Sequence, residues 1–182
     1  MNKPIAIIGT AGRGTPLTKA HWDFMVATAL EVIPAGRHVV SGGAAWADHV
    51  AVRLLTLGHA GALTLHLPAP MDETDFSFVG VRKSAGSAAN YYHHQFSQAL
   101  GEDTRAELFD ASQDDRCFGT FEPAAPGYSA MFTRNRKVAA TATGGVLAFT
   151  FGEGDVPADG GTKHTWDLIA SNKKFHYSLA SV

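Results

Sequence analysis

Short apolar runs that stop at glycine or proline, separated by stretches of helical spacing, leave this chain few ways to fold. Ile5 to Ile8 is apolar throughout and ends at Gly9, which suits a buried strand and is too short for a helix. Val39-Val40 begins a second strand that ends at Ser41-Gly42-Gly43, and Ala62 to Leu67 is a third, ended by Pro68. Between the first two, Thr15-Pro16 predicts a helix start, with Thr15 as N-cap and Pro16 at the first helical position. That helix carries Trp22, Met25, Val26, Ala29 and Ile33 on one face, and Pro34 and Gly36 close it. A second helix is expected from about Ala47 to Leu57, with Val50, Leu54 and Leu57 at helical spacing and Gly58 as its stop. Strand–helix–strand–helix–strand of this kind predicts parallel pairing through right-handed crossovers.

The pattern breaks between residues 71 and 127, where no convincing buried strand is visible. This stretch reads as a helical insertion, with one helix from Ala88 to Leu100 and another from Thr104 to Ala111. Thr104 and Glu107 match a capping box. So long an excursion suits a lid or binding element. Order returns with a helix from about Met131 to Ala142, a strand from Val146 to Phe151, a helix from Thr162 to Ser171 and a strand from Phe175 to Leu179. The expectation is one α/β domain spanning residues 1–182, three-layered, with a largely parallel sheet ordered 3-2-1-4-5. Its site should lie where the first and fourth of these strands diverge.

Composition narrows the class further. Apolar residues make up 45% of the 182 and charged residues 18%, the balance of a globular chain rather than a disordered one. A formal charge of −2 gives no net pull towards nucleic acid, although Arg134, Arg136 and Lys137 form one local basic candidate. Cys117 is the only cysteine, so no intramolecular disulfide can form, which fits a reducing cytoplasm. Cys117 reads as structural rather than nucleophilic because no partner is identifiable. The N-terminus lacks a signal-peptide layout, and no stretch approaches the roughly 20 apolar residues of a membrane span.

Several segments carry chemistry. Gly9-Thr10-Ala11-Gly12-Arg13-Gly14 lies between a strand and a helix, where backbone N–H groups, the Thr10 hydroxyl and the Arg13 fork suit an anion; a plain tight turn is the other reading. Ser41-Gly42-Gly43-Ala44 opens a helix whose first turn holds Asp48. That carboxylate either stabilises the helix dipole or accepts hydrogen bonds from ribose hydroxyls. Arg134 either reaches a phosphate, with Asn135 bracing loops, or belongs to a solvated basic face. Gly160, Gly161, Thr162 and Thr165 open the last helix, where amides and hydroxyls could bind a second phosphate or a terminal sugar; simple N-capping by Thr162 is the alternative. Tyr91, Tyr92, His93, His94 and Phe96 either pack the insertion against the core or stack on a base. His93 and His94 are adjacent, so on a helix they diverge by about 100° and do not chelate; no metal or other cofactor site is evident.

Taken in order, these stretches resemble the SLOG superfamily of Rossmann-like nucleotide-binding domains. Its members include DNA-processing protein A (Smf) and the Lonely Guy phosphohydrolases, and the YpsA-related branch is the most similar. The residues that carry the resemblance are Ile7 to Arg13, Val39 to Ala44 with Asp48, Arg134-Asn135, and Gly161-Thr162 with Thr165. The likeness covers residues 4–70 and 127–180. It implies a Rossmann-like fold, a pocket for a nucleotide or nucleotide-derived ligand at the carboxyl ends of the strands, and a homodimer or higher homo-oligomer. Lonely Guy enzymes cleave an N-glycosidic bond with an arginine from Met-x-x-Arg-Lys and a glutamate from Pro-Gly-Gly-x-Gly-Thr-x-x-Glu. Met131 to Lys137 approximates the first motif. In the second, Asp159 replaces the proline, Lys163 and His164 replace the second glycine and the threonine, and Asp167 falls at the glutamate.

Three functions follow as expectations. The first is nucleotide binding with hydrolysis of an N-glycosidic or phosphoester bond. Arg134 and the loop amides would fix phosphate, and Asp48 or Asp167 would stabilise charge developing on ribose. The second is a sensor or sequestering protein without turnover. The third, single-stranded DNA binding, is opposed by the acidic balance and the lack of a basic stripe interleaved with aromatics.

Overall fold

The computed structural model describes residues 3–158 and 160–182. Six strands form one all-parallel sheet: β1 (Ile5–Gly9), β2 (His38–Ser41), β3 (Ala62–Leu67), β4 (Cys117–Phe121), β5 (Gly145–Thr150) and β6 (Lys174–Ser178). Their order across the sheet is β4-β3-β2-β1-β5-β6. The five strands read from the sequence stand in the expected order, and β4 extends the sheet at one edge. The helices are α1 (Lys19–Val32), α2 (Val50–Thr56, entered through a 3₁₀ turn at Trp46–His49), α3 (Ala85–Leu100), α4 (Thr104–Ser112), α5 (Ser129–Thr141) and α6 (Gly161–Leu168). Among the described residues no helix is long and apolar enough to cross a membrane.

Strand alternation sorts the core into two layers. Ile7, Val39, Leu63, Leu65, Leu147 and Phe149 point to one face and pack with Trp22, Met25, Leu54, Phe96 and Leu108 of α1 to α4. Ala6, Ile8, Val40, Val146 and Ala148 point to the other and pack with Val138 and Ala139 of α5 and Trp166 of α6. Both faces are therefore covered, as a parallel sheet requires.

The 71–127 segment holds the two expected helices, α3 and α4, and adds a strand that the sequence does not announce. It supplies β4, which pairs with β3 from Leu63↔Cys117 to Leu67↔Phe121, and its Phe78, Phe96 and Leu108 are fully or almost fully buried. It is the crossover from β3 to β4. The N-caps of α1 and α4 also differ from expectation. α1 begins after Thr18 rather than Thr15, because the β1–α1 loop runs on through Gly14 and the Thr18 N–H then bonds His21 Nδ1 at 3.1 Å. Asp103, not Thr104, caps α4: its Oδ1 accepts from the N–H groups of Arg105 and Ala106 at 3.0 and 3.3 Å. Glu107, freed from a capping box, instead takes Arg53 Nε at 2.7 Å and His49 Nε2 at 2.9 Å. Burial acts to raise the Glu107 pKa, but those bonds and charges hold it down at about 2.

Candidate functional site

In a parallel sheet every strand-to-helix loop lies at the carboxyl edge, so the glycine loops after β1 and β2 and the loop after β5 share one rim of the molecule. The sheet order reverses between β1 and β5, and the first loop is fastened there: the Thr10 N–H donates to Phe149 O at 2.9 Å. The Thr10 hydroxyl accepts the Gly12 N–H at 3.1 Å, and Gly12 and Gly14 adopt φ of 83° and 84°, conformations glycine enters without a Cβ penalty. Ala11 is half-buried, and Arg13, between the two glycines, is exposed.

The second loop is braced from within. Ser41 Oγ donates to Asp48 O at 2.7 Å and accepts the Gly43 N–H at 3.4 Å; Asp48 Oδ2 accepts the Gly42 N–H at 3.2 Å. Arg134, from the opposite layer, donates Nη1 to Gly42 O at 2.8 Å and lies 3.8 Å from Asp48 Oδ2. A Cβ on Gly42 would sit 2.5 Å from Arg134 Cδ, so this close approach requires glycine. Both charged side chains are buried. Burial raises the Asp48 pKa, against the Arg134 charge and the amides of Ala44, Gly42 and Gly9. Burial lowers the Arg134 pKa, against the Asp48 carboxylate. Arg134 Nε is enclosed without a hydrogen-bond partner.

The sequence-derived residues thus separate into groups. Gly9, Ser41, Gly42, Asp48 and Arg134 come together, as do Asn135 and Gly161: a Cβ on Gly161 would lie 3.6 Å from Asn135 Nδ2. Thr165 is buried and donates its hydroxyl to Gly161 O at 2.9 Å, so it closes the first turn of α6. Thr162 is not the cap; Gly160 holds that position. Asp167 is exposed and paired with Lys163 Nζ at 2.7 and 2.6 Å. Asp159 lies outside the described residues. Burial and the Asp114 charge push the Cys117 thiol up to about 11, which keeps it protonated. Among the described residues no three His, Cys, Asp or Glu side chains gather around a possible metal position.

A cleft of about 570 Å³ opens beside the first loop. Ala11, Gly12, Arg13 and Gly14 form one wall, Trp46 contributes next to them, and Tyr91, Tyr92, Gln95 and Gln98 of α3 face them. Neither Asp48 nor Arg134 lines it. In the sequence the only sign of a role for Trp46 is its position directly after the second glycine loop. Trp46 holds φ at 65°, a left-handed conformation that costs a bulky residue of order 1–3 kcal/mol and is retained where the surroundings enforce it.

His93 ties α3 to the second loop. Its Nε2–H donates to Gly43 O at 3.1 Å, and its Nδ1 accepts from the Thr104 hydroxyl at 3.0 Å. Burial, helped by neighbouring His49 and Arg105 and opposed by the Gly43 bond, holds its pKa down at about 3 from an ordinary 6.5. The unfolded chain therefore binds a proton that the folded chain refuses. Stability is complete above the ordinary histidine value and is lost progressively as pH falls towards 3. Unfolding in urea between pH 7 and pH 5 should show proton uptake that His93→Gln lacks, approaching roughly one proton at the acid end. Equal pH slopes for the two proteins would contradict this.

No family model matches the chain, and no solved structure matches it. A protein of Acanthamoeba polyphaga mimivirus, uncharacterized protein R261, is 32% identical over 188 aligned positions, covering 97% of this chain and 96% of the viral one. Coverage that complete includes the β3–β4 crossover with its α3 wall. This chain belongs to the same family as that mimivirus protein.

Proposed function

We propose that this chain binds a nucleotide or nucleotide-derived ligand at the carboxyl edge of its sheet, as a SLOG-like domain, and holds it without turnover. The observation that carries this reading is the cleft between the Ala11–Gly14 loop and α3, beside the strand reversal where open α/β sheets take ligands. The loop turns through two glycines of positive φ, whose lack of a side chain lets an anion approach the backbone closely, and it carries an exposed guanidinium for an anionic group. The second glycine loop, fixed by Asp48 and Arg134, supports the site from behind. Absence of turnover is favoured because Asp48 is enclosed with Arg134 and the loop amides, while Asp167 faces solvent with Lys163. Cleavage of an N-glycosidic bond by the route considered above would need one of these carboxylates aimed at the ribose, where positive charge develops.

Native mass spectrometry of protein purified from cells, followed by denaturing release, should yield a phosphate-bearing small molecule. Titration with nucleoside mono-, di- and triphosphates should show binding that Arg13→Ala weakens about tenfold, the loss of one charge-assisted contact. Incubation with the bound nucleotide should release neither base nor inorganic phosphate. Product formation abolished by Asp48→Asn would overturn the non-catalytic reading, and no affinity for any nucleotide would overturn the whole.

A further inference from the structure

α3 has two uses for its side chains. Ala85, Ala89, His93 and Phe96 are buried in the core and repeat at helical spacing. Tyr91, Gln95 and Gln98, at i, i+4 and i+7, form an adjoining stripe that faces the first glycine loop across the cleft. Tyr91 is 61% exposed and meets Tyr92 edge to face, with ring centroids 5.2 Å apart. The core stripe is complete without Tyr91, so packing gives no reason for a large ring in that position. The His93 bond to Gly43 O holds the helix at a fixed distance from the glycine loops, so the ring is presented by a rigid wall.

We infer that α3 is the base-recognition wall of the nucleotide cleft, with Tyr91 stacking on the base of a nucleoside monophosphate whose phosphate lies against Gly12–Gly14. This rests on the nucleotide reading above and assigns the half of the ligand which that reading leaves open. A base has a π-face whatever its identity, and stacking on an aromatic side chain is sequence-tolerant. The amides of Gln95 and Gln98 carry both donors and acceptors and can pair with a base edge. An anion-only site would need the loop but not the tyrosine.

Calorimetric titration with AMP, GMP, CMP and UMP, and with ribose 5-phosphate as the base-free probe, tests this. At least one mononucleotide should bind the wild-type chain about tenfold or more tightly than ribose 5-phosphate, in line with a stacking contribution of roughly 1–3 kcal/mol. Tyr91→Ala should erase that margin and leave ribose 5-phosphate affinity unchanged, whereas Tyr91→Phe should keep it. If ribose 5-phosphate binds as well as every mononucleotide, or if the margin survives Tyr91→Ala, the base-wall assignment falls and the anion-binding loop stands. If no probe binds, the nucleotide reading itself fails and this inference fails with it.

Discussion

Replacing Arg134 with methionine should cost about 3–5 kcal/mol of folding stability, the usual consequence of removing one partner from a buried ion pair. Asp48 would be left in an enclosed position with only loop amides to accept from, and Gly42 O would lose its 2.8 Å donor. The penalty should depend on pH. Burial already raises the Asp48 pKa, and without Arg134 nothing of opposite charge restrains it. A carboxyl with a raised folded-state pKa contributes stability that is complete at low pH and is lost as pH rises through that value. The variant should therefore be closer to wild type at pH 5 than at pH 8. Adding Asp48→Asn should recover much of the loss, since no uncompensated charge remains, and the double-mutant cycle should return a coupling well above 0.5 kcal/mol. Urea midpoints at constant slope read all four proteins. A loss under about 1 kcal/mol in Arg134→Met, together with abolished nucleotide affinity, would make Arg134 a ligand group instead of a brace.

The same pair shows where sequence reading stops. Arg134 and Gly42 are 92 positions apart, and nothing in either segment announces that one closes over the other. The sequence could mark Gly42, Asp48 and Arg134 as unusual. It could not say whether the charges face a ligand or each other, because only the approach of α5 to the β2 loop decides that. The central strands are legible because burial on both faces writes an unbroken apolar run, as at Ile5 to Ile8 and Val146 to Phe149. β4 is not: it is an edge strand, four of its five residues are exposed, and Cys117-Phe118-Gly119-Thr120-Phe121 carries no burial pattern. The cap of α4 was missed by one residue because Asp103 and Thr104 are both good caps and only geometry separates them. Tyr91 and Tyr92 were visible as an aromatic pair, but their place opposite the first glycine loop depends on α3 docking through His93 and Phe96.

Phe96→Ala, within the segment that sequence reading set apart as an insertion, should destabilise the whole fold. The ring is fully buried and packs against three rings from outside its own helix: Trp46 at 4.4 Å, Trp22 at 4.9 Å and His49 at 5.3 Å between centroids. Those three come from the entry to α2 and from α1, so Phe96 joins the β3–β4 crossover to the central layer. Truncating a buried phenylalanine costs about 3–5 kcal/mol, which for a chain of this size lowers the melting temperature by about 10 °C. Tyr91→Ala, little more than one turn away, should change stability by no more than about 0.5 kcal/mol, because that ring is exposed. An appended lid would behave otherwise: Phe96→Ala would leave the main thermal transition in place and melt only α3 and α4, at lower temperature. A single cooperative transition that moves with Phe96 and ignores Tyr91 is expected here. It would separate the two faces of one helix, one serving the fold and the other left free to meet a ligand.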